Sequence, residues 1–166
     1  MSIAEAFIGE LKHECETTRR VLAAVPNTDL GWKPHPKSMS IGALAGHIAE
    51  VPGWVGVTVN APELDMGTTD YTPKEPKNVA ETLALFDKGT AEAIAALTGK
   101  PDADFLVPWS LKSGSKTYFT MPRVQVLRGF VLSHLIHHRG QMTVYLRLRN
   151  VPVPSVYGPS ADFPEM

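Results

Sequence analysis

Cysteine is almost missing from this 166-residue chain: Cys15 stands alone. That excludes an intrachain disulfide and any cysteine-rich zinc site. Charge of one sign is missing too, since 16 basic and 17 acidic residues leave a formal net charge of −1. The basic residues are dispersed, and without a patch to neutralise phosphate the chain is not expected to bind nucleic acid as its main activity. Arg147 and Arg149, the nearest thing to a basic cluster, are read as cations at a helix C-terminus. No apolar run reaches membrane-spanning length and no signal-peptide core is evident, so a soluble cytoplasmic protein is expected. Internal repeats and low-complexity tracts are absent as well.

What is present is helical periodicity. The length fits one domain over residues 1–166 with a substantial core. Four helices are predicted. The first covers Ile3 to Ala24, buries Phe7, Leu11, Cys15, Thr18, Leu22 and Val25, and stops before Pro26. In that stripe Cys15 reads as a small core residue rather than a reactive thiol. The second runs from an N-cap at Ser40 to about Val57, with Pro52 and Gly53 expected to kink or shorten it. The third starts at Asn78 with Glu81 as capping-box partner and ends at Gly99 and Pro101. The fourth spans roughly Pro122 to Arg149. The fold class is therefore all-α, a four-helix bundle with long loops.

Those loops, about Thr58 to Lys77 and Lys100 to Met121, exceed the ~2–8 residues usual between bundle helices. The second reads as a short β-hairpin or ordered flap between the third and fourth helices, turning at Ser113 to Ser115. Together they could roof a pocket walled by Trp54, Trp109, Tyr118 and Phe119.

The chemistry concentrates in histidine. In the run from Leu132 to Gln141, His134 and His138 are four residues apart, one helical turn on the same face. Both fall within the apolar stripe of Val124, Leu127, Val131, Leu135, Met142, Tyr145 and Leu146. Buried imidazoles need partners, and one metal ion held by both would supply them; a hydrogen-bonded core pair is the alternative. His137 projects about 100° away. His13 follows Glu10 at the spacing of a di-iron motif, but both point away from the first helix's packing face. His35 sits between prolines in a loop. His47 lies at the edge of the second helix's stripe, on the side of Trp54, and its wheel position leaves open whether it meets the pair.

A His47 in the second helix, a long excursion, then His134-x-x-x-His138 followed by Arg139, Gly140 and Gln141 resembles the DinB/YfiT-like family over nearly the whole chain. The resemblance implies that His47, His134 and His138 bind one divalent metal inside a four-helix bundle. It further implies a homodimer as the assembly, while imidazole ligands suit zinc, nickel or iron as the ion. Relatives include transferases and isomerases that use bacillithiol or mycothiol, so a low-molecular-weight thiol is an implied cosubstrate.

Three neutral imidazoles leave a metal shell open, as in catalytic rather than structural sites. The expected function is activation of a thiol or water for transfer to a small electrophilic substrate. The competing class is a non-catalytic, metal-stabilised stress-response or interaction module. Leu135 stands where a zincin carries its glutamate, which removes that protease class. Glu50, one turn beyond His47, is a candidate catalytic base or ligand-orienting group; the alternative is a solvated carboxylate. Arg139 and Gln141 are candidates for supporting a ligand or touching substrate, with a surface ion pair as the simpler reading of Arg139. Gly140 is expected to permit close helix approach.

Overall fold

The computed structural model describes residues 1–165. Helix α1 (Ile3–Ala23) opens on a capping box: Ser2 Oγ accepts from the Glu5 N–H, and the Glu5 carboxylate accepts from the Ser2 N–H. Its buried face is the expected one, continuing to Val25. Ser40 caps α2 (Ile41–Glu50) by accepting from the Ala43 N–H at 3.1 Å. The chain then tightens into a 3-10 turn at Val51–Gly53, where Pro52 has no N–H to give, before α3 (Trp54–Asn60). The expected second helix is thus present and broken where its sequence breaks.

Helix α4 (Val79–Leu97) starts from Asn78, whose side chain accepts from the Glu81 N–H at 2.8 Å. Glu81 reaches back one residue further than the capping-box expectation, accepting from the Lys77 N–H. After the short α5 (Asp102–Leu106), the last helical stretch comprises α6 (Arg123–Val126), a π-helical segment Leu127–Ser133 and α7 (His134–Leu148). Helices α1 and α2 each pack against both α4 and α7. Between them lie Leu11, Leu22, Leu44, Ile48, Phe86, Leu97, Leu135, Met142 and Leu146, all buried.

The all-α expectation needs correcting: the molecule is mainly helical but carries a three-stranded sheet in the order β1-β2-β3. The hairpin between α4 and the last helix is β2 (Pro108–Ser113) and β3 (Lys116–Pro122), with a bulge at Leu111 and Lys112. Strand β1 (Glu63–Asp65) comes from the other long connection and pairs in parallel with β2, Leu64 opposite Leu111. Three residues are too few to show an alternating pattern, so nothing in the sequence marked them. The Asp65 carboxylate accepts from the Gly67 and Gly114 N–H groups, each at 2.9 Å, tying β1 to the hairpin tip. A Cβ at Gly67 would lie 2.8 Å from the Gly114 nitrogen, so only glycine allows that approach.

After α7, Val151, Val153 and Val156 fold back against the core. Arg147 and Arg149 pair with Asp162 and Asp29, which accounts for both cations locally. Among the described residues, no helix is long and apolar enough to cross a membrane.

Candidate metal centre

Helix α2 carries His47 and α7 opens on His134, with His138 one turn further on. The packing of α2 on α7 brings the three rings together. His134 Nε2 lies 2.9 Å from His47 Nε2 and 2.9 Å from His138 Nε2, and all three ligand atoms fall within 4.8 Å of one another. An imidazole Nε2 has one in-plane position, holding either a proton or a lone pair. His134 Nε2 therefore cannot hydrogen-bond well to both neighbours at once. Three Nε2 lone pairs converging on one point instead match a cation about 2.0–2.1 Å from each nitrogen, which spans separations of about 3 Å.

Electrostatics favour the neutral, ligand-ready form. Burial, then the neighbouring His138, His47 and His137 rings, push the His134 pKa down to about 4. Burial lowers His47 as well. It also lowers His138, against the opposing hydrogen bond with Gln141. That bond, 2.7 Å from His138 Nδ1 to Gln141 Oε1, puts the proton on Nδ1 and leaves the Nε2 lone pair facing the cluster. One of the two sequence readings of Gln141, support for a ligand, thus has a direct contact behind it.

Aromatic rings fill the rest of the surround. Trp54 meets His134 edge-on at 5.2 Å and stacks on Phe130 at 5.2 Å and 22°. Beside them opens a cavity of about 230 Å³ lined by His47, Trp54, Leu64, Met66, Tyr71, Leu111 and Phe130. Of the wall residues expected from sequence, Trp54 lines this cavity. Phe119 stands behind Phe130 at 5.7 Å, Trp109 is buried against Phe119, and Tyr118 is exposed beneath Lys116. Phe130 belongs to the π-helical segment, whose i→i+5 wind rephases the side chains before His134. Neither Phe130 nor Tyr71 carried a sequence signal of its own. A wider cavity of about 630 Å³ lies under the C-terminal segment, near Arg20 and Phe163, and shares no residue with the triad.

Glu50 points to the loop before α4. Its oxygens accept from Tyr71 Oη at 3.1 Å and the Lys74 N–H at 3.2 Å. Burial and the Glu50 carboxylate push the Tyr71 pKa up to about 12, so the phenol stays a proton donor. One turn of α2 away, a Cβ on Gly46 would fall 2.3 Å from the Lys74 carbonyl oxygen, so this glycine lets the loop cross beside His47.

The remaining candidates lie elsewhere. His13 and His35 are exposed, Glu10 pairs with Arg128, and His137 is exposed with its ring 4.9 Å from that of His138. Cys15 is buried, and its thiol is pushed up to about 11 by that burial. Arg139 departs from the surface-pair reading: it is 1% exposed and donates to Glu14 Oε2 at 2.7 Å. Gly140 departs from its expected role, because a Cβ there would meet open space.

A family model described as the DinB superfamily matches residues 10–142. The chain belongs to the DinB superfamily. This DinB-superfamily chain is 45% identical over 165 residues to the uncharacterized protein YrdA of Bacillus subtilis (strain 168), spanning 94% of the chain and 89% of that relative. A crystal structure of a DinB-like protein from Bacillus cereus superposes with a TM-score of 0.70 at 25% identity, covering 92% of this chain and 97% of the other. A second, the DinB-like YjoA of Bacillus subtilis, gives 0.68 at 16% identity over 91% and 97%, which speaks for the fold alone.

Proposed function

We propose that this DinB-superfamily protein binds one divalent transition metal through His47, His134 and His138, and uses it to activate a thiol or water against a small electrophile. The observation that carries the proposal is the convergence of three Nε2 atoms, with His134 Nε2 2.9 Å from each of the others and all within 4.8 Å, beside a cavity. Zinc, nickel and iron all suit imidazole ligands. Bound there, the ion would supply Lewis acidity that favours the thiolate of a low-molecular-weight thiol, or lowers the pKa of water.

The chain's own residues do the rest. The triad rings present lone pairs, and Gln141 holds the His138 tautomer. Trp54 and Phe130 keep bulk water off one side of the rings. Glu50 is read here as a positioning residue: its bonds to Tyr71 and Lys74 support a loop anchor over a general base. We further propose that α1, α2, α4 and α7 form the family's four-helix bundle in one domain, and that the protein is a cytoplasmic homodimer, which light scattering would register as twice the chain mass.

The test is thiol consumption, with protein loaded in turn with zinc, nickel and iron, against a panel of alkyl and acyl electrophiles. Turnover that needs metal and disappears in His134→Ala, with the far-ultraviolet spectrum unchanged, is expected. Metal binding without turnover across the panel, with metal removal costing only stability, would favour the non-catalytic module.

A further inference from the structure

The cavity next to the triad has a lining that specifies the part of a substrate it receives. Five of its walls are apolar: Trp54, Leu64, Met66, Leu111 and Phe130. Among the described residues, no lysine, arginine, aspartate or glutamate lines it; its polar groups are the His47 ring and the Tyr71 phenol. A carboxylate or phosphate lodged there would give up its hydration without meeting a cation. We propose that this cavity is a specificity pocket for one compact, uncharged apolar group, the size of a substituted benzene ring or a branched chain of equal bulk.

Size sets the scale. A dry apolar cavity of about 150 Å³ accepts benzene, and this one is about 230 Å³ and open on one side. It has room for a single ring with short substituents. Its apolar walls come from four separated pieces of chain: Trp54 just after the break between α2 and α3, Leu64 and Met66 at β1, Leu111 on β2, and Phe130 from the π-helical segment. Two of those pieces depart from regular α-helix, and both departures place an aromatic ring against the histidines. His47 belongs to pocket and triad alike, so a bound apolar group lies in contact with the His47 ring. Met66 and Tyr71, 37% and 40% exposed, stand at the open side.

The pocket deepens the proposed function and rests on it for the reaction, but ring binding itself needs no metal. The probe is 4-fluorobenzyl alcohol, observed by fluorine NMR with metal-free and metal-loaded wild-type protein. Saturable line broadening is expected in both forms, displaced by toluene and indifferent to acetate and inorganic phosphate. Leu64→Trp, which fills the pocket, is expected to weaken binding at least tenfold. Met66→Trp, at the exposed rim, repeats the test if the first variant fails to fold. No broadening with the wild-type protein, unchanged affinity in the filled variant that folds, or displacement by phosphate would overturn the pocket. Ring binding that persists in a protein unable to take up metal supports the pocket while counting against the metal reading, so the two failures are distinct.

Discussion

Arg139→Leu is expected to cost this protein more stability than any exposed substitution. The guanidinium is 1% exposed and donates through one nitrogen to Glu14 Oε2 at 2.7 Å, with longer bonds to the Glu14 carbonyl and Thr18. Its other terminal nitrogen bonds the Tyr157 hydroxyl, which itself donates to Glu14 Oε2 at 2.9 Å. Removing the arginine leaves the Glu14 carboxylate, 6% exposed, with the Tyr157 phenol as its main partner. Breaking a buried pair in this way costs about 3–5 kcal/mol, whereas replacing both partners by apolar residues is often neutral. For a chain of this length each kcal/mol moves Tm by about 2–4 °C. Metal-free Arg139→Leu should therefore melt roughly 10 °C below wild type, and the double variant Glu14→Leu/Arg139→Met should recover most of that. Tyr157→Phe should cost only about 1 kcal/mol, because Tyr157 is 61% exposed and water can replace its hydroxyl. The assay is urea unfolding followed by circular dichroism, with all variants stripped of metal. A loss below about 1 kcal/mol for Arg139→Leu, or a double variant no better than the summed singles, would refute the buried-pair account.

Three other expectations follow from the same geometry. The triad pKa values are lowered in the folded state, His134 to about 4, so the unfolded chain binds protons first. Stability of the metal-free protein should then be full above about pH 6.5 and fall as pH drops toward 5; urea midpoints that stay level over that window would contradict this. Gly140→Ala should stabilise by about 0.5–1 kcal/mol, since it lies inside α7 with open space beyond its Cα, and a lower urea midpoint would be the wrong sign. Gln141→Leu should reduce metal affinity about 10- to 100-fold without altering stoichiometry, as measured by competition with a chelator.

Legibility in the sequence tracked the length scale of each interaction. The faces of α1 and α7 repeat every turn, and Ser40, Pro52 and Asn78 act on neighbours within a few residues, so all of these could be read directly. His134 and His138 share a helix and were visible as a pair. That His47 meets them depends on how α2 packs on α7, which no helical wheel contains; the family resemblance supplied it. Other features lacked any local signature. The three residues of β1 pair with a strand more than forty positions away. The π-helical segment breaks the 3.6-residue period on which every wheel relies. Arg139 read as a surface cation because its partners, Glu14 and Tyr157, come from α1 and from the segment after α7. Gly140 looked like a contact glycine, while the real close approach is at Gly46, under a loop whose path the sequence does not reveal.

The central claim is that His47, His134 and His138 form one metal site. Elemental mass spectrometry of protein purified without an affinity tag, with His134→Ala prepared in parallel, tests it most directly. The account predicts close to one transition metal ion per wild-type chain and almost none in a variant that still folds. A wild-type protein that refuses zinc, nickel, iron and manganese, or a variant that keeps the wild-type metal content, would contradict it.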